Sequence, residues 1–149
     1  MTREEFLQYM DYFNTHQWDK VTGYFRPDTT LEYPDSFGNP GTPGRTLHGP
    51  KEFIENYKAI ASNTREVLNL GAFSDWGSQF FVEFVTEFHV EKDAPKGERA
   101  MGKKGDVIVM NQSVLYDVDE KGKFKRIRIF HHRYLDPSTL KKLTGYERR

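Results

Sequence analysis

Near the C-terminal end, Phe130-His131-His132-Arg133-Tyr134 places two imidazoles, a guanidinium and a phenol in five consecutive positions. An imidazole both takes and gives a proton near neutral pH, which makes His131 a candidate general acid–base. Arg133 is a candidate for stabilising a developing oxyanion. In a strand, alternation puts Ile127, Ile129, His131 and Arg133 on one face and Arg126, Arg128, Phe130, His132 and Tyr134 on the other. The first face starts apolar and ends titratable. It is either a strand leaving a core for a polar pocket or a sheet end whose basic side chains meet water.

Other chemistry is narrowed by what the chain lacks. It has no cysteine, so disulfides, thiolate nucleophiles and cysteine metal sites are excluded. No histidine pair has helical metal-ligand spacing, and His131 and His132 point to opposite faces, so no metal is expected. The glycines between Gly38 and Gly44 alternate with proline and do not form a phosphate loop, and no serine sits in a nucleophile elbow. No cofactor is called for. Proton transfer in a dry pocket is the chemistry these residues support.

The elements that would position these groups follow from pattern. Thr2 and Glu5 fit a capping box ahead of Phe6, Tyr9, Met10 and Phe13, which predicts an amphipathic helix to about Thr15. A short helix from Trp18 to Phe25, a strand over Thr29–Tyr33 and a loop from Ser36 to Gly49 follow. Pro50 at a first helical position opens a helix carrying Phe53, Tyr57 and Ile60. Strands are expected over 66–73 and 79–91, then a charged connection over 92–105 and a final hairpin turning at Asp119–Lys123. With Gly122 as the turn's bulge residue, Asp119 pairs Lys123, and counting back sets Leu115 opposite Ile127, Ser113 opposite Ile129 and Asn111 opposite His131. That register gives Asn111 a ligand-binding or ring-orienting role beside His131. The opposite face, Met110, Gln112, Val114, Tyr116, Phe130, His132 and Tyr134, is then the candidate subunit interface. A slip of one residue would exchange the two sets.

The strand Phe80–Val90 poses the same choice. Amphipathicity buries Phe80, Val82, Phe84, Thr86 and Phe88 and exposes Phe81, Glu83, Val85, Glu87 and His89. The opposite facing would deliver Glu83 and Glu87 to a pocket. Tyr33 and Asp35, at the entry to the long loop, are candidate rim residues, Tyr33 as a carbonyl-polarising hydroxyl and Asp35 as a ligand contact or a turn residue. His48 either touches ligand or precedes the helix. Rings from Phe6, Tyr9, Tyr57 and Phe81 would shape a cavity.

At 149 residues, one domain is expected. Lys plus Arg and Asp plus Glu balance at 22 each, so nothing argues for nucleic acid or an anionic membrane surface as partner. No apolar run approaches the roughly 20 residues of a membrane span, and the first residues carry no signal-like apolar core, so a cytoplasmic protein is expected.

Helices first and a meander of long strands after them describe an α+β domain, a curved antiparallel sheet wrapped around N-terminal helices. In that order the segments Tyr24-Phe25-Arg26-Pro27-Asp28-Thr29, Tyr33-Pro34, His48-Gly49-Pro50-Lys51-Glu52-Phe53-Ile54, Asp119-Glu120-Lys121-Gly122-Lys123-Phe124 and Arg133-Tyr134-Leu135-Asp136-Pro137 span almost the whole chain. Together they resemble the nuclear-transport-factor-2-like (NTF2-like) superfamily, in its SnoaL-like polyketide cyclase and limonene-epoxide-hydrolase branch. The resemblance implies a cone-shaped fold with an internal pocket, a homodimer paired through the sheet, and a hydrophobic oxygenated substrate, polyketide- or terpenoid-like, in secondary metabolism. The fold also hosts non-catalytic binding modules. Epoxide-hydrolase relatives use an Asp-Arg-Asp set. At the matching positions this chain has Glu87, Val85 and Arg133, and Leu31 and Tyr33 stand where relatives carry Tyr and Asn. The resemblance therefore implies isomerisation, cyclisation or dehydration by Glu87, His131, Arg133 and Tyr33, with Glu87 and Arg133 as an inward ion pair, and epoxide opening only as a variant.

Overall fold

The computed structural model describes residues 1–35, 43–96, 101–138 and 146–147. Helices α1 (Arg3–Asn14) and α2 (Trp18–Thr22) precede strands β1 (Phe25–Asp35) and β2 (Pro43–His48). Helix α3 (Gly49–Ala61) leads into β3 (Thr64–Asp75), β4 (Gln79–Val90), β5 (Val107–Val118) and β6 (Phe124–Leu135). The six strands form one sheet in the order β2-β1-β6-β5-β4-β3. The α+β expectation holds, with two corrections. The sheet is mixed, because β1 runs parallel to β6. Pro43–His48, expected within a loop, is an edge strand paired antiparallel to β1.

Local chemistry explains the helix starts. The Thr2 side chain accepts from Glu5 N–H while the Glu5 carboxylate accepts from Thr2 N–H at 2.7 Å, the reciprocal capping box. Phe6, Tyr9, Met10 and Phe13 then bury one stripe of α1. Phe6 is fully buried, with the rings of Phe73, Phe80, Phe84 and Tyr116 around it at 5.4–5.9 Å. At α3 the Glu52 carboxylate accepts from His48 N–H. Gly49 has φ +70°, and a Cβ there would lie 2.9 Å from the Pro27 carbonyl oxygen, so glycine is required on both counts.

The last hairpin has the expected turn and a different register. Asp119 N–H donates to Lys123 O, and Gly122 adopts φ +73°. Beyond it, Val118 pairs Phe124 but Asp117 pairs Arg126, so Lys125 is an extra residue in β6. The bulge lets Phe124 and Ile127, three apart, both point inward, where they are 0% and 1% exposed. Strict alternation from Phe124 would have buried Arg126 and Arg128 instead. Tyr116 now faces Ile127, Val114 faces Ile129 and Gln112 faces His131. The inner face of β5 is therefore the set expected at a subunit interface. A second irregularity at His132 pairs Asn111 with Arg133 and turns that guanidinium to the convex side.

The free edge of β3 is blunted locally. Leu68 N–H donates to Asn14 Oδ1 at 2.9 Å, and Asn14 Nδ2 donates to Leu68 O at 3.2 Å, so one amide substitutes for a neighbouring strand. One step along, Leu70 exchanges both backbone bonds with Glu147. The Tyr146 ring packs where Gly71 has no Cβ.

Two stability outcomes follow. Deleting Lys125 should cost more than about 3 kcal/mol in urea unfolding, because one of two core side chains must leave the interior, whereas Lys125→Ala should stay within about 0.5 kcal/mol. Asn14→Ala should cost about 1–3 kcal/mol by orphaning the Leu68 peptide. Gln8→Ala on the exposed side of α1 serves as the neutral reference.

Candidate functional site

The concave face of the sheet and helices α1 and α3 enclose a narrow cavity of about 30 Å³, lined by Tyr9, Phe13, Leu31, Phe53, Tyr57, Glu66, Leu68, Phe84, Gln112, Val114, Tyr116, Ile127 and Ile129. It holds about one or two waters as it stands. One lining residue is a carboxylic acid. Glu66, the third residue of strand β3, is 8% exposed. No hydrogen bond or ion pair reaches its carboxyl among the described residues. Burial among rings pushes its pKa up to about 8, so at neutral pH it holds its proton.

Tyrosine hydroxyls supply the other polar atoms. Tyr33 of β1 and Tyr57 of α3 share a hydrogen bond of 3.0 Å between their hydroxyls. Tyr9 and Tyr116 form a second pair deeper in. Burial raises the pKa of all four, Tyr57 and Tyr116 most strongly, so they are neutral donors. Glu66 lies within electrostatic reach of both Tyr33 and Tyr57. The Gln112 amide donates to Thr86 Oγ1 on the same face. The His131 ring lies parallel to Tyr33, centroids 6.0 Å apart. The arrangement is a neutral acid and several hydroxyl donors in an aromatic enclosure. It can donate hydrogen bonds to a carbonyl or enol oxygen and move one proton.

The structure brings only part of the expected set together. His131, Tyr33 and Tyr57 share the inner side. Glu87 and Arg133 do not form the inward ion pair. Their strands are separated by β5, and both face the convex side. Glu87 is nonetheless buried there, accepting from Asn69 Nδ2 at 2.9 Å and bonded to His89 Nε2 at 2.8 Å. Asn111 is not across from His131. It donates to Glu83 Oε1 at 2.9 Å on the convex face, with the Tyr146 hydroxyl beside it. Phe81 pairs Leu115 on that same outer side and lines no cavity. The inward facing expected in β4 holds for Phe80, Val82, Phe84, Thr86 and Phe88, but the exposure expected of the other parity does not, since Val85 and Glu87 are 1% and 2% exposed. His48 is exposed at the N-cap of α3 with no side-chain cap bond. The Asp35 side chain lies outside the described residues.

Glu66 was not singled out from sequence, although a signal existed. In Thr64-Arg65-Glu66-Val67-Leu68-Asn69-Leu70 the even positions end in two leucines, and the same parity carries Glu66 inward. The apolar Val67 on the opposite parity masked it. No cluster of three or more metal-binding side chains occurs among the described residues. Among those residues no helix is long and apolar enough to cross a membrane.

No family model and no curated protein matches the sequence. Solved structures do. An epoxide hydrolase/cyclase-like enzyme, SalBIII, described in pyran-ring formation in the polyether salinomycin, is 15% identical, covers 99% of this chain and 95% of its own, and superposes with a TM-score of 0.65. A candidate polyketide cyclase from Xanthomonas campestris pv. campestris is 19% identical over 83% and 84% of the two chains, TM-score 0.62. An NTF2-like protein of unknown function from Burkholderia pseudomallei is 16% identical over 89% and 92%, TM-score 0.67. The chain thus has the NTF2-like α+β fold, and its structural neighbours are the SnoaL-like cyclases, epoxide-hydrolase-like enzymes and NTF2-like proteins that its motifs resemble.

Proposed function

We propose that this protein is a cofactor-independent enzyme that isomerises, cyclises or dehydrates a hydrophobic oxygenated substrate, polyketide- or terpenoid-like, by proton transfer. The observation that carries this reading is Glu66, a protonated carboxyl aimed into an aromatic cavity with tyrosine hydroxyls nearby. It would donate its proton to the substrate oxygen, Tyr33 and Tyr57 would stabilise the charge that develops there, and His131 is the adjacent base. Epoxide opening by an Asp-Arg-Asp arrangement is not supported, because Val85, Glu87 and Arg133 face outward. A second reading, a non-catalytic small-molecule-binding module, draws on the small cavity, since binding pockets are commonly about 300–1,000 Å³. For the enzyme reading, the Tyr33–Tyr57 hydrogen bond between β1 and α3 is the contact that opens to admit substrate.

A homodimer through the convex face belongs to the same proposal. Phe81 lies opposite Leu115, with Phe130 diagonal to it, and all three are half-buried on that side.

Activity is tested on a panel of cyclic and polyketide-like ketones in deuterated buffer, with α-proton exchange and product formation read by NMR. Glu66→Gln should lower the rate about 100-fold or more. Binding by wild type with no exchange or conversion would leave the binding-module reading. Stability offers a separate check. Folded Glu66 keeps its proton to about pH 8, while the unfolded glutamate releases it near 4.5. Between those values the folded chain binds more protons, so stability falls as pH rises, by at most about 1.4 kcal/mol per unit, and levels off above pH 8. Glu66→Gln should flatten this slope and be the more stable form at pH 8; parallel curves from pH 5 to 9 would contradict a buried protonated acid. Light scattering should give a dimer for wild type and a monomer for Leu115→Glu.

A further inference from the structure

Arg45 differs in its partner from five other arginines of the fold. Arg3, Arg26, Arg65, Arg126 and Arg128 each meet a carboxylate, at 2.6–3.2 Å. Arg45, on edge strand β2, instead lies over the ring of Tyr33, its cross-strand partner, with the guanidinium carbon 4.6 Å from the ring centroid. Among the described residues no carboxylate is within ion-pair distance of it. Tyr33 is the residue whose hydroxyl bonds Tyr57 at the cavity, and it feels both Glu66 on one side and Arg45 on the other. The order from interior to solvent is therefore acid, tyrosine pair, arginine.

That order restricts what can bind. The interior presents neutral donors and rings, so burying a ligand charge there would go uncompensated. Arg45 is exposed, and a planar guanidinium already oriented by a ring face offers two parallel N–H donors that match a carboxylate. Resting on the proposal that this cavity is the active site, we propose that Arg45 is its specificity-determining residue. It receives a carboxylate at the mouth while the ligand's neutral body lies against Tyr33, Tyr57 and Glu66. The substrate class is then an oxygenated hydrophobic acid rather than a neutral or cationic analogue.

The test compares benzoate, benzamide and benzylamine, matched in ring and differing in charge, by chemical-shift titration of the full chain at pH 7. Wild type should bind benzoate about tenfold more tightly than benzamide and benzylamine least, with the preference shrinking as salt rises. Arg45→Gln should bind benzoate and benzamide equally, and Arg45→Lys should keep part of the preference; circular dichroism checks that each variant is folded. The titration reads binding without turnover, so a failure of Glu66 as proton donor is read separately, in the exchange assay, from a failure of Arg45. Equal binding of benzoate and benzamide by wild type, an unchanged preference in Arg45→Gln, or no benzoate binding up to its solubility limit overturns the proposal.

Discussion

The interior of this protein depends on a parity problem in its last strand and the bulge that solves it. Phe124 and Ile127 are both needed in the core, and three-residue spacing cannot place two side chains on one face of a regular strand. Taking up Lys125 as an extra residue resolves the conflict and keeps Arg126 and Arg128 out of the core. There Arg126 pairs with Glu32 and Arg128 with Asp117. Everything downstream inherits the shift: Tyr116 and Gln112 enter the concave face, Asn111 and Ser113 leave it, and His131 comes to lie beside Tyr33. A full phenylalanine contributes roughly 1.5–3 kcal/mol when buried, more than the regular ladder position the bulge gives up.

The two faces of the sheet handle charge differently. On the convex side, buried Glu87 is held by Asn69 and His89, and Glu83 by Asn111, so acids there are satisfied within the fold. On the concave side, Glu66 lies among rings, aliphatic side chains and neutral polar groups. A carboxyl left in such surroundings keeps its proton because burial raises the cost of ionising it. Packing alone is better served by Leu or Met at that position, which is the support for the role proposed for this acid.

Much of the architecture was legible in the chain. The capping box and the Phe6–Phe13 stripe specified α1, and the Gly122 turn and the inward facing of Ile127, Ile129 and His131 could be read from alternation. The sheet partners of those residues could not, because a bulge leaves no compositional mark when the extra residue is an ordinary surface lysine. Strand β2 escaped notice since Pro43 and Gly44 read as loop, although an edge strand tolerates both. The site was legible only in part. Tyr33, Tyr57 and His131 are brought together, whereas Glu87 and Arg133 were drawn inward by analogy with a mechanism whose residues this chain does not keep. Glu66 carried no motif, and the role proposed for it rests on what surrounds it.

The parallel pairing of β1 with β6 also sets a schedule for the folding chain. Leu31 lies beside Ile127 and Phe124 O receives the Thr29 hydroxyl, contacts between residues about a hundred positions apart. Until β6 leaves the ribosome, β1 with β2 and β3 with β4 and β5 can exist only as separate ribbons, each with an unsatisfied edge where β6 will insert. The closing step joins both ribbons at once through contacts far apart in sequence, the kind whose loop-closure entropy slows folding. A nascent chain stalled before Phe124 would therefore be the form most exposed to pairing with a neighbour.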